Sequence, residues 1–191
     1  MDNSEIMEFD QVIKWYNFGK MESLIEQNWT GNRSDFNGRL ASYSKLLATH
    51  FSPDCLSLVI SIFGEIGNNC FDHNMGYWQD IPGCLFLRTS KYCIIADRGR
   101  GIRASLAKVL NPQQQLENFL ELAYTQVITG RAPEKRGNGL KFVKKSCSQC
   151  KINLITLTQG QIYTIGVRNV ELEKILLANV NPGVLTLLWW S

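Results

Sequence analysis

The chain has 191 residues, of which 45% are hydrophobic and 19% charged. That length suits one domain, and the composition can bury a real core, which argues against a disordered or fibrous chain. Twenty Lys and Arg against 17 Asp and Glu leave +3, too mild a balance to imply nucleic acid on charge alone. No apolar run approaches the roughly 20 residues of a membrane-spanning helix. The start, MDNSEIMEFDQ, is acidic and polar, unlike a signal peptide, so a cytoplasmic protein without membrane contact is expected. Six cysteines then fall in a reducing setting. Cys55, Cys70, Cys84 and Cys93 lie in apolar stretches and read as buried thiols. Cys147 and Cys150 form a lone CxxC with no second pair, and the only histidines, His50 and His73, are distant in sequence, so no zinc site is expected. One oddity remains, because several of the 15 glycines crowd into short polar clusters.

In chain order, the first 50 residues read as short helices, with Val12, Ile13, Trp15 and Tyr16 on one apolar face and Met21, Leu24 and Ile25 on another. Residues 28–38, NWTGNRSDFNG, are rich in turn formers, and a helix carrying Leu40, Tyr43, Leu46 and Leu47 on one side follows. Residues 54–73 form the strongest helix. Pro53 and Asp54 suit its start, and Leu56, Val59, Ile60, Phe63, Ile66 and Cys70 recur at steps of three and four. Gly64 and Gly67 cost about 1 kcal/mol each inside a helix and so mark close packing or a close ligand. After the turn at 75–83, two strands are expected, CLFLRT (84–89) and YCIIA (92–96). Residues 113–129 read as a helix, 129–139 as a polar loop, and another helix begins near Gly139. Strands at 151–158 and 162–168 follow, joined by a turn at Gly160-Gln161, then a short helix at 171–178 and a closing apolar strand, VLTLLWW. This order predicts mixed α/β or α+β layers.

Three polar clusters carry chemistry. Glu65, Asn69 and Asp72 stand at i, i+4 and i+7, on one face of the strong helix. An acid, an amide and an acid so placed can hold a hard cation through oxygen and orient a water, although such a row also suits a solvated face. Asp97-Arg98-Gly99-Arg100-Gly101-Ile102 directly follows an apolar strand. Its glycines permit close backbone approach, and its aspartate can accept from a ligand amine. Arg136-Gly137-Asn138-Gly139-Leu140 opens a helix whose free N–H groups attract phosphate, with Lys135 and Lys141 adding charge. Neither a GxxxxGK[ST] loop nor a GxGxxG fingerprint is present.

In this order, ExxxNxxD, DxGxG and GxGL, the clusters resemble the histidine-kinase-like ATPase superfamily, also called GHKL, with its Bergerat nucleotide fold. The family includes gyrase-type topoisomerases, heat-shock chaperone ATPases, sensor histidine kinases and anti-sigma-factor serine kinases. The resemblance covers roughly residues 54–189. It implies a two-layer α/β sandwich, a mixed β-sheet with helices on one face, spanning residues 51–191, with residues 1–50 as a helical extension of the same domain. It further implies ATP and Mg2+ as cofactors. Asn69 would coordinate the magnesium, with Glu65 reaching it through water and acting as the catalytic acid or base. Asp72 matches an acidic position of the gyrase-type branch. Asp97 would hold the adenine amino group. Gly99, Gly101 and Ile102 would shape the pocket and begin a lid over about 102–136, and Arg136, Gly137, Asn138, Gly139 and Leu140 would meet the phosphates where it ends. Arg131, Lys135 and Arg136 would close with the lid.

The sequence also departs from the pattern. The family's Gly-Thr in the last strand is Gly183-Val184 here, with Thr186 the nearest threonine. The glycine box is a single GNG, as in compact stand-alone members. Dimerisation helices with a phosphoacceptor histidine are absent. His73 reads as structural or pocket-lining. Two functions follow from the resemblance. One is an ATP-dependent protein phosphotransferase or ATPase acting on or with a regulatory protein. The other is an ATP-bound regulatory switch with negligible turnover, for which Trp29, Trp78, Trp189 and Trp190 are candidate surface aromatics, although core or strand packing is the favoured reading of all four.

Overall fold

The computed structural model describes residues 3–107, 111, 118–126 and 138–190. Helices α1 (Asn3–Phe18), α2 (Ser23–Asn28) and α3 (Arg33–Leu47) precede the long helix α4 (Pro53–Asp72). Strands β2 (Cys84–Arg88) and β3 (Tyr92–Ala96) follow, then helices α5 (Gly101–Leu106), α6 (Phe119–Thr125) and α7 (Gly139–Cys150). Strands β4 (Asn153–Thr158) and β5 (Gln161–Ile165), helix α8 (Val170–Leu177) and strand β6 (Leu185–Trp189) complete the chain. The short strand β1 (Trp29–Thr30) lies between α2 and α3.

The turn-rich segment 28–38 holds an edge strand and the start of α3 instead of a plain turn. Trp29 and Thr30 pair with Leu85 and Cys84 at the sheet edge. Asn32 then caps α3, its side chain accepting from the Asp35 N–H at 2.9 Å. The closing hairpin turn also moves by one residue. Gln159 and Gly160, at φ +50° and +72°, form it, as two-residue hairpins with the native twist require. Lys151, in the left-handed region, ends α7, so β4 begins only at Asn153.

The six strands form one sheet in the order β1-β2-β3-β6-β4-β5. Every pairing is antiparallel, which corrects the expected mixed sheet. Alternation divides each strand between two apolar layers. Phe86, Cys93, Ile95, Leu154 and Leu188 pack with α3, α4, α6 and α7. Leu85, Leu87, Ile94, Ala96, Ile155, Leu157, Leu185 and Leu187 face the other way. Phe9, Val12, Trp15 and Tyr16 of α1, Ile25 of α2, and Leu172 and Leu176 of α8 cover that second face. Helices on one face alone are therefore not what the chain builds; α1, α2 and α8 seal the back of the sheet.

Helix α4 follows from its sequence. Pro53 sits in its first turn, Asp54 complements the helix dipole, and Val59, Ile62, Phe63, Ile66 and Cys70 are buried. Leu56 and Ile60 are only half-buried. Gly67 lies against the Phe36 ring so closely that a Cβ would stand 1.9 Å from it, which accounts for a glycine in mid-helix. All six cysteines are free thiols, five of them buried. Trp29 lies edge-on to Trp15 at 5.5 Å, Trp190 is buried, and Trp78 and Trp189 are half-buried, in keeping with the packing role favoured for the four. No helix among the described residues is long and apolar enough to cross a membrane.

Candidate functional site

A cavity of about 1090 Å³ opens between α4, α5, α6, the start of α7 and the α4-side face of the sheet. Pockets for small molecules run to roughly 300–1,000 Å³, so this one has room for a ligand of nucleotide size. Glu65, Asn69 and Asp72 line it from α4, each half-buried. Asp97, Gly101 and Ile102 line it from the end of β3 and the start of α5, and Asn138, Gly139 and Leu140 from the start of α7. Three stretches separated by long intervals of chain thus meet at one space. Gly99 stands behind the wall, and Arg136 and Gly137 lie outside the described residues. So does most of the expected lid. Its described parts, α5 and α6, contribute Ser105, Leu106, Ala123 and Tyr124 to the lining.

Asp97 is the buried charge of the site, with 2% of its surface exposed. Its Oδ1 accepts from Gly99 N–H at 2.8 Å and from Asn74 Nδ2 at 2.9 Å. Burial pushes its carboxyl up to about 6, while hydrogen bonds from Gly99, Cys70, Asn74 and Val184 restrain the rise. The Cys70 thiol beside it, hydrogen-bonded to Cys84 and buried, is held well above the ordinary thiol range and stays neutral.

Two glycines are explained by contact. Gly101 adopts φ +78°, and a Cβ there would meet Pro182 O at 1.9 Å. At Gly139 a Cβ would stand 1.7 Å from Glu65 Oε1. The α7 backbone therefore approaches the carboxylate as only glycine permits, and the start of α7 lines the same space.

Asp72 is spoken for. Its Oδ1 accepts from Arg33 of α3 at the rim of the cavity. Arg98, next to Asp97, points away from the cavity. Its Nε donates to Asp80 Oδ2 at 2.8 Å and its Nη1 to the carbonyls of Trp15 and Tyr16. His73 is exposed at the mouth, as a pocket-lining residue would be.

Sequence reasoning missed several lining residues. Asn74, two residues past the end of α4, is buried and bonded to Asp97. Tyr124, Thr156 and Thr186 form a buried hydroxyl chain, with 2.7 Å from Tyr124 Oη to Thr156 Oγ1 and 3.1 Å from there to Thr186 Oγ1. Thr156 and Thr186 are cross-strand partners of β4 and β6. Strand alternation brings both to the cavity side, so Thr186 reaches the site although Val184 occupies the position after Gly183. Arg100 lies over the Tyr77 ring at 4.5 Å, and both line the cavity.

Among the described residues, no group of three His, Cys, Asp or Glu side chains could hold a metal ion. Glu65 and Asn69, one helical turn apart, supply only two oxygen donors. That is the partial set suited to a magnesium ion that keeps its other positions for water and phosphate. Comparison of the sequence with models of known protein families and with curated proteins finds no match.

Proposed function

We propose that the cavity binds an adenine nucleotide with Mg2+, and that the chain is a histidine-kinase-like ATPase domain acting as a protein phosphotransferase or ATPase. One observation carries this reading: Glu65 and Asn69, Asp97 with Gly101, and Asn138-Gly139-Leu140 line a single cavity in which Asp97 is buried. A buried carboxylate lining the cavity suits a ligand amine, while the α7 start suits phosphate. Asn69 and Glu65 would hold the cation, which would neutralise phosphate charge. Glu65 would take the proton of an attacking water or hydroxyl, and the walls formed by α5 and α6 would exclude bulk water. Arg131, Lys135 and Arg136 are proposed to add positive charge from the lid.

A switch that binds ATP without turnover would use the same pocket. Glu65 favours chemistry, because a carboxylate facing phosphates repels them unless a cation or a reacting water stands between. A regulatory protein is the proposed partner or phosphate acceptor.

Thermal denaturation with Mg-ATP and Mg-ADP tests the pocket. Wild type is expected to gain stability with either nucleotide, following the logarithm of ligand concentration. Asn69→Ala is expected to lose most of the Mg-dependent part. A melting temperature indifferent to nucleotide in wild type would remove the reading.

A further inference from the structure

Asn74 holds together three parts of the site. It is 3% exposed and sits just beyond the end of α4. Its Nδ2 donates to Asp97 Oδ1 at 2.9 Å and to Cys70 O at 3.0 Å, and its Oδ1 accepts from Arg100 N at 3.1 Å. The amide also occupies the space beside Gly99, where an added Cβ would stand 2.0 Å from Asn74 Cγ. Asn74 therefore ties the α4 end, the Asp97 carboxylate and the backbone of the Gly99–Gly101 turn into one rigid unit.

The consequence lies at Asp97. A carboxylate oxygen offers two lone-pair sites. At Oδ1 these are taken by Asn74 Nδ2 and Gly99 N–H. Cys70 and Val184 also donate to this carboxylate. All four donors favour the ionised form, which attracts an amine and repels a ligand carbonyl.

We infer that Asn74 is a positioning residue that makes the site select a purine carrying an exocyclic amine over one carrying a carbonyl at the same place. This rests on the nucleotide reading given above. The titratable groups around Asp97 are Cys70 on α4, Tyr16 on α1, and Arg98 and Arg100 in the turn. The Cys70 thiol is raised by its Cys84 hydrogen bond and burial, and the Tyr16 phenol by burial, so both are neutral near pH 7. Arg98 is turned to Asp80 and the α1 carbonyls, and the Arg100 guanidinium lies over Tyr77. Glu65, Asp72 and His73 line the same cavity, and Asp97, pushed up to about 6 by burial, is the carboxyl whose titration Asn74 governs directly.

Calorimetric titration of wild type and Asn74→Ala with Mg-ATP and Mg-ITP, across pH 5.5–8, tests the inference. ITP carries a carbonyl where ATP carries the amine. Wild type is expected to prefer ATP, with affinity falling as pH drops through about 6. Asn74→Ala is expected to lose about tenfold in ATP affinity with little change for ITP. Its ATP affinity should also begin to fall at a higher pH, because a donor to the ionised carboxylate is gone. Asn74→Ser, a smaller donor, is read in the same way if the alanine variant does not fold. An ATP/ITP ratio and pH midpoint unchanged from wild type in a folded variant would overturn this inference alone. Wild type that binds neither nucleotide would overturn the nucleotide reading and this inference together.

Discussion

Glu65→Gln is expected to lower ATP turnover by about 100-fold or more while leaving Mg-ATP affinity close to wild type. The size follows from removing a general base, an effect worth about 10²–10⁴ in rate. The retained affinity follows from geometry. Glu65 lines the cavity from the α4 face and its Oε1 abuts the backbone at Gly139, where glutamine has the same shape. Glutamine keeps an oxygen for the cation but cannot take a proton. Phosphate release under saturating Mg-ATP, with binding measured separately, checks this. Turnover equal in wild type and Glu65→Gln would assign catalysis elsewhere. Absent turnover in both, with binding intact, would favour the switch.

Arg98→Ala is expected to cost about 3 kcal/mol of stability, the scale of breaking a buried charged hydrogen-bond network from one side. The Arg98 side chain is 8% exposed and joins elements far apart in sequence. Its Nε bonds Asp80, and its Nη1 bonds the carbonyls that end α1. Tyr16 reinforces the same junction, its hydroxyl donating to Gly183 O at 2.6 Å. Removing the guanidinium leaves those carbonyls and Asp80 short of donors, and α1 loses its hold on the back of the sheet. Arg98→Lys is expected to recover little, since a single ammonium cannot reproduce the planar fork. Urea unfolding followed by circular dichroism checks this. A loss below about 1 kcal/mol would mean that water replaces the guanidinium freely.

How much of this was legible in the residues depended on the range of the forces involved. Helix α4 and strands β2, β3, β4 and β6 were readable because their apolar periodicity is local and their ends carry proline, glycine or polar punctuation. Strand β1 was not, because two residues make a strand only when a partner such as β2 lies beside them; Thr30 Oγ1 also donates to Cys84 O, 54 residues away. The all-antiparallel pairing was hidden for the same reason. That α1, α2 and α8 cover the second face could have been suspected from strand composition. Tyr92, Ile94 and Ala96 alternate with Cys93 and Ile95, so β3 has no polar face to leave in water.

The site divides in the same way. Glu65, Asn69 and Asp97 were legible as spaced motifs. Asn74 was not, because its meaning lies in contacts with Asp97 and Arg100 that only the fold creates. Thr186 stands two residues beyond Val184, out of step with the family's Gly-Thr, and strand alternation places it in the cavity wall regardless. Asp72 was legible as an acid on the right face, but its partner, Arg33, comes from the segment read as a turn.

Calorimetric titration of wild type and Asp97→Asn with Mg-ATP asks whether the cavity is a nucleotide site that depends on Asp97. Asparagine preserves shape and can still accept from Asn74 and Gly99, so the fold should persist. A nucleotide site held by Asp97 gives one ATP site in wild type and an affinity about 10- to 100-fold lower in Asp97→Asn, the worth of a buried hydrogen bond to a charged group. No binding by folded wild type, or equal binding by the two proteins, would contradict it.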